Sequence, residues 1–407
     1  MAAGRRRWLV PALVGSLVVA AAVRGPVEYR AWRDRGLKNQ SVAQLEARVA
    51  RNPKDPDAKY FLAMAHVKAG ELERAPRLLR EALVLDPVRH DILNDLGAVY
   101  LVQRRYYESL VALQGAVTAK PDYAPAWANL GRLHIAMEMA YTAAKDLRKS
   151  LDLEPGNLEV LCDYGEACRR TLNYKGGEAA YREAIAKRPD HVRAHTGLAL
   201  ILQEKGGYDD ALASLETANR LQPDDPAILT TIGGILLRKD GGEAGRAKAE
   251  PYLRKAVELD PALADGWYNL GNFELLAGRP KEAVGHLAKA LQVAPDHMGV
   301  LNLLERALRR SGRVADADRA AKVFRARAMR DREETVLEER THRNAEDWDA
   351  VARLAELYLE ANKRYKAVWM TNRLKVGAPY HPKLPRLLQT IGPDASPAAA
   401  DTSAGGG

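Results

Sequence analysis

Large apolar residues and small ones recur together between residues 56 and 324, in a phrase that renews itself about every 34 residues. Pro87, Pro121, Pro155, Pro189 and Pro223 are 34 apart; Pro261 follows after 38 and Pro295 after 34. Proline lacks an amide hydrogen and clashes with the carbonyl one turn back, so it stops a helix at one phase of each unit. Counting from Pro56, position 7 reads Leu62, Leu96, Leu130, Tyr164, Leu198, Ile232, Leu270 and Leu304. Position 8 reads Ala63, Gly97, Gly131, Gly165, Ala199, Gly233 and Gly271, and breaks only at Glu305. Position 20 is Ala75, Ser109, Ala143, Gly177, Ala211, Ala249, Ala283 and Ala317, and position 27 is small as well, from Ala82 to Ala290. By the three-and-four spacing of helices, positions 4, 7, 8 and 11 share one face of a first helix and positions 20, 24 and 27 one face of a second. Each unit is therefore predicted to be a helix pair whose backbones approach at the small residues. No unit can bury its apolar face alone, so the units must stack.

Three stretches depart from the period. The sixth unit carries four extra residues in "KDGGEAGRAK", whose Gly241, Gly242 and Gly245 predict a longer, flexible loop between its two helices. A phosphate-cradling reading of that loop fails, because no strand precedes it and no Lys-Ser/Thr ends it. After the eighth unit, "RVADADRAAKVFRARAMRDREETVLEERTHR" places arginine and glutamate at helical spacing, which predicts an extended second helix with a charged outer face. From Trp348 the small and apolar residues return in order at Leu354, Ala355, Tyr358 and Ala367.

The phrase W-x-x-L-G-x-x-Y, followed by a small residue and then Ala and Pro over 34 residues, resembles the tetratricopeptide repeat. The resemblance covers eight units in register. It implies an all-α fold, a right-handed α-solenoid of stacked antiparallel helix pairs, here preceded by one N-terminal hydrophobic helix. The organisation expected is a basic n-region, membrane segment and flank at 1–36, a lead-in helix at 37–55 and eight repeat units at 56–326. A charged helical connector at 327–347, a degenerate ninth unit at 348–376 and a tail at 377–407, disordered at its end, complete the chain.

The N-terminal segment adds a membrane to the picture. Arg5, Arg6 and Arg7 precede sixteen uncharged residues, "WLVPALVGSLVVAAAV", and Arg24 closes the run. Such a run is either a cleaved secretory signal or an uncleaved single-pass anchor. Arg24 directly after any Ala-x-Ala cut, with Tyr29 and Trp32 among arginines, favours the anchor. The export-like n-region then puts the repeats on the extracytoplasmic side. Cleavage would instead yield a secreted or periplasmic form, and the arginines beyond residue 24 argue for a cytoplasm-facing body.

Composition and charge exclude more than they assign. The net charge is +9, but basic and acidic residues are interleaved, which describes a solvated surface of mixed sign; nucleic acid is not favoured as a partner. Cys162 and Cys168 lie six apart in one predicted helix and cannot bridge each other. No catalytic motif, cofactor fingerprint or metal set is present, so the chain reads as non-enzymatic, with no cofactor, no catalytic residue and no metal ligand. The nearest to a metal pair is His191 with His195, but His195 stands where Trp127 and Trp267 stand in other units, which assigns it to packing.

What the tetratricopeptide resemblance implies is a concave groove, lined by first helices, that binds an extended peptide or partner helix. Its groove-facing positions give Tyr60, Asn94, Arg132, Arg169, Arg170, Gln203, Arg238, Tyr268, Asn272, Asn302, Arg306 and Arg309 as partner-binding candidates. The arginines suggest an acidic or carboxylate-bearing ligand. The family's carboxylate clamp is not reproduced, because Tyr268 and Leu303 stand where Lys and Asn would be. The function expected is a membrane-associated scaffold for protein interactions in envelope assembly or secretion; the alternative is an accessory subunit binding nucleic acid or anionic lipid through Arg306, Arg309, Arg310 and the helix after them.

Overall fold

The computed structural model describes residues 40–392. The expected signal or anchor at residues 8–23, and the end of the tail from residue 393, lie outside the described residues. Among the described residues there are twenty helices and no strand, and no helix is long and apolar enough to cross a membrane. The chain divides into two compact units, Met1–Thr171 with Tyr358–Gly407, and Leu172–Leu357.

The first unit opens with α1 (Val42–Arg51), whose N-terminus is closed by a capping box between Ser41 and Gln44. Helix pairs follow: α2 (Pro56–Lys68) with α3 (Ala75–Leu85), α4 (His90–Val102) with α5 (Tyr106–Ala119), α6 (Ala124–Ala136) with α7 (Ala140–Leu153), and then α8 (Leu158–Arg170). In the second unit α9 (Tyr174–Lys187) precedes the pairs α10 (Val192–Glu204) with α11 (Tyr208–Leu221), α12 (Pro226–Lys239) with α13 (Glu243–Leu259), and α14 (Ala264–Leu276) with α15 (Pro280–Val293). Next come α16 (Met298–Arg310) and α17 (Val314–Arg343). The chain re-enters the first unit at Tyr358, within α18 (Trp348–Glu360), and α19 (Arg364–Gly377) and α20 (Leu384–Ile391) are the last of the described helices.

One local rule turns a first helix into its second. Position 15 of the repeat is left-handed: Gly70, Arg104 and Glu138 in the first unit, Gly206, Gly278 and Gly312 in the second, all with φ between 57 and 82°. The next amide then donates to the carbonyl five residues back, as from Glu71 to His66 at 2.9 Å and from Met139 to His134 at 2.7 Å. This is a Schellman closure, and it satisfies carbonyls that the helix end would leave bare.

The pairs are held by one recurrent fit. The leucine at position 24 of the second helix seats on the bare backbone at position 8 of the first. A Cβ placed on Gly97 would lie 2.5 Å from Leu113 Cγ, and one on Gly271 2.7 Å from Leu287 Cγ. Gly131 meets Leu147, and Gly233 meets Leu253, in the same way. All four leucines are 0% exposed, so the missing side chain and the buried one are two halves of one packing unit. Trp127 and Trp267 at position 4 add a polar clasp: their Nε1–H groups donate to the carbonyls of Pro121 and Pro261 at 2.9 and 2.8 Å. The repeat-ending proline therefore stops one helix and anchors the next.

The sixth repeat departs from the sequence expectation. Its extra residues do not lengthen the loop, which spans residues 240–242, three as in the ordinary turn at 103–105. They extend the helices instead, α12 to 14 residues and α13 to 17. Gly242 donates its amide to Asp240 Oδ1 at 2.8 Å, and a Cβ on Gly245 would overlap the Asp240 carbonyl oxygen. Gly245 is there for close approach rather than for flexibility. Helix α17 likewise runs on as a single 30-residue helix through the expected boundary at 326.

Replacing Gly131 by Leu should lower the thermal midpoint measured by circular dichroism, at a cost of about 1–3 kcal/mol for an overpacked core. Adding Leu147→Ala should recover part of the loss; a single variant as stable as the parent would refute the fit.

Candidate functional site

The first helices of the first unit present polar side chains to one another. Tyr60 on α2 donates its hydroxyl to Asp95 Oδ2 on α4 at 2.7 Å, and Asn94 Nδ2 donates to Asp95 Oδ1 at 3.0 Å. Asn129 on α6 donates Nδ2 to Asn94 Oδ1 at 2.9 Å. Arg132 then joins α6 to α8, from Nη1 to Asn129 Oδ1 at 3.1 Å and from Nε to Asp163 Oδ2 at 2.7 Å. Asn94, Asp95 and Asn129 are at most 2% exposed. Buried amides and carboxylates must find partners, and this ladder supplies them from four successive repeats.

The expectation that Tyr60 and Asn94 face an open groove changes accordingly. Both are buried, and Arg132 spends its guanidinium on Asp163 and Asn129. Asp95, Asn129 and Asp163 were not among the sequence candidates, although a signal existed: all three stand at position 6 of consecutive units, polar residues in an otherwise apolar stretch. At the end of α8, Arg169 pairs with Glu166 at 2.9 Å and Arg170 pairs with it at 2.6 Å. Burial disfavours charge on Glu166, but the two guanidiniums outweigh it and hold the carboxyl below its usual range.

The second unit is arranged differently. Gln203 on α10, Arg238 on α12, Asn272 on α14, and Asn302 and Arg306 on α16 make no side-chain hydrogen bond or ion pair among the described residues. Arg238, Asn302 and Arg306 are exposed; Gln203 and Asn272 are half-buried. Tyr268 stacks on His297 with ring centroids 5.3 Å apart at 27°, and His297 Nε2 binds Asp265 Oδ1 at 3.0 Å. Arg309 differs from this row, being paired with Glu305 at 2.8 Å and Asp318 at 3.1 Å. Amides, guanidiniums and one phenol on successive first helices can bind a polypeptide through its carboxylates and backbone carbonyls.

The histidine pair is structural. His191 Nδ1 accepts the Ala194 amide at 3.2 Å and caps α10, while His195 Nε2 donates to the Pro189 carbonyl at 2.8 Å, as the tryptophans do in their repeats. Cys168 is buried, and burial pushes its thiol up, away from the thiolate that reactivity needs.

Residues 107–228 match a family model described as the cytochrome c-type biogenesis protein H TPR domain, and residues 30–90, 65–124 and 243–298 match a tetratricopeptide repeat model. The cytochrome c-type biogenesis protein CycH of Pseudomonas aeruginosa is 30% identical over 159 residues, which is 37% of this chain and 38% of that protein. The human protein O-mannosyl-transferase TMTC1 is 25% identical over 209 residues, 51% of this chain and 20% of its own length. These alignments thus span well under half of either curated relative. A crystal structure of a tetratricopeptide repeat protein from Parabacteroides merdae aligns with a TM-score of 0.53 at 18% identity, covering 62% of this chain and 98% of that one, which shows the fold. The repeats are tetratricopeptide repeats.

Asn129→Ala should cost about 1–3 kcal/mol of stability in urea unfolding, because it leaves Asn94 and Arg132 short of a buried partner. An unchanged unfolding midpoint would show that the ladder is not a structural element.

Proposed function

We propose that this chain is a non-enzymatic scaffold that holds a partner polypeptide along the first helices of α10 to α16. The observation that carries the reading is the contrast between the two rows of polar groups. In the first unit the candidate residues are taken up by Asp95, Asn129, Asp163 and Glu166; in the second, Gln203, Arg238, Asn272, Asn302 and Arg306 keep their hydrogen-bonding capacity for something else. The free guanidiniums of Arg238 and Arg306 favour an acidic or carboxylate-bearing segment. Tyr268 adds an aromatic surface beside Asn272 on the same helix, and polar groups with an aromatic anchor suit peptide recognition.

Likeness to the cytochrome c-type biogenesis family model and to CycH supports a role in the assembly of other proteins at the cell envelope, with residues 8–23 as membrane anchor and the repeats extracytoplasmic. The alternative, a polyanion-binding surface on the arginines after Asn302, has less support. Arg309 pairs with Asp318, Arg313 and Arg319 with Asp316, and Arg327 with Asp296, so much of that charge is already neutralised.

Fluorescence anisotropy with acidic model peptides separates the readings. Arg238→Glu with Arg306→Glu should weaken binding at least about tenfold, about 1.4 kcal/mol, while Arg169→Glu with Arg170→Glu should have a much smaller effect. Equal losses from both pairs would overturn the assignment to the second unit. Binding of single-stranded RNA or anionic vesicles in preference to the peptides, with a steep salt dependence, would favour the alternative.

A further inference from the structure

Helix α19 buries more of its surface than α11 or α15 does. Helix α11 buries Ala211, Leu215 and Ala218, and α15 buries Ala283, Leu287 and Ala290, one stripe each. Helix α19 buries Lys366, Ala367, Val368, Met370, Thr371 and Leu374, and half-buries Tyr365 and Trp369. Part of this cover is the following helix α20, which buries Leu384, Leu387 and Ile391, and whose Ile391 carbonyl accepts from Arg364 Nη2 at 2.6 Å. A cap of that kind is enough to end an array of repeats.

Further cover comes from the second and third repeats, more than 200 residues earlier in the chain. Tyr365 and Trp369 pack on a cluster of Leu110, Leu113, Leu130, Leu133 and Met137. The rings of Tyr106 and Tyr365 meet edge to face, 4.9 Å between centroids at 69°. Lys366, 1% exposed, places Nζ 3.1 Å from Glu138 Oε2 and 4.9 Å from the centroid of the Tyr358 ring. Lys363 reaches the same carboxylate oxygen at 3.3 Å.

Glu138 stands at position 15, the left-handed turn, with φ 57°, where Gly70, Gly206, Gly278 and Gly312 occupy the corresponding places. A side chain there strains the backbone, and here that side chain supplies a carboxylate to Lys366. A buried lysine without its carboxylate is strongly unfavourable, whereas the half-exposed Glu138 leaves the ionic contact open to salt.

We propose that the edge formed by Tyr106, Leu110, Met137 and Glu138 is a helix-docking site occupied in cis by α19, and that the Lys363–Glu138–Lys366 triad makes the docking a releasable latch. Release leaves the helix pairs of the second and third repeats folded, exposes their apolar edge and frees the last repeat. This inference does not rest on the peptide-binding reading, since none of the residues proposed for that site takes part in the latch.

Hydrogen exchange on the full chain tests it. Glu138→Lys should speed exchange of the amides in residues 364–391 by about tenfold or more while residues 90–153 keep their protection. High salt should act on the parent in the same direction. Glu138→Gly removes the carboxylate but relaxes the left-handed turn, so it should open the latch without destabilising the repeats. Adding Lys363→Glu to Glu138→Lys should restore part of the protection. Unchanged exchange in residues 364–391 for both single variants would overturn the latch. So would exchange that rises equally in residues 90–153, which would make the contact part of one cooperative fold. A doubled mass by light scattering, with protection retained in the parent, would overturn occupancy in cis and place the helix on a second copy.

Discussion

Everything in this protein hangs on a missing side chain facing a large one. Where position 8 is glycine, as at Gly97, Gly131, Gly233 and Gly271, the backbone of a first helix is laid bare, and the leucine at position 24 of its partner seats on it. That contact sets how closely the two helices approach, and so how much of positions 4, 7 and 11 can be buried between successive pairs. The turn at position 15 then has only to deliver the second helix to that contact. In the sixth repeat the turn is built differently, yet Leu253 still meets Gly233. The additional residues are taken up as helix, with Gly245 against the Asp240 carbonyl, because the helix contact tolerates less change than the connection does.

Stacking of first helices creates a second problem, since it brings polar side chains of neighbouring repeats into a dry seam. The two units resolve it in opposite ways. The first unit cross-links Tyr60, Asp95, Asn94, Asn129, Arg132 and Asp163 into a ladder in which each repeat supplies what the next one needs. The second unit leaves Asn272, Asn302 and Arg306, at positions 9, 5 and 9, at or near the surface, so they cost little unbound and stay available. A row of residues at equivalent positions can thus be structural in one half of the chain and open in the other.

The periodic features were legible in the sequence because they are local. Helix pairs, their phase, the small residues at positions 8 and 20, and the packing role of His195 all follow from spacings of three and four within repeats of 34. The position-6 ladder was only half legible: the polar residues stand in plain view, but their pairing depends on how the first helices align once the repeats stack. Gly245 of the sixth repeat was not legible, since sequence alone does not distinguish a glycine that bends from one that lets two backbones touch.

The sequence by itself determined that this chain is an array of helix pairs, and the phase and apolar face of most of them, since each of these is decided by neighbours within one repeat or the next. Tertiary structure alone decided which groove residues are satisfied and which are open, and that α19 lies against the second and third repeats. A carboxylate at residue 138 and a lysine at 366 carry no periodic relation to each other. Their pairing depends on the accumulated path of the chain between them, and a pattern repeating every 34 residues holds no record of that path.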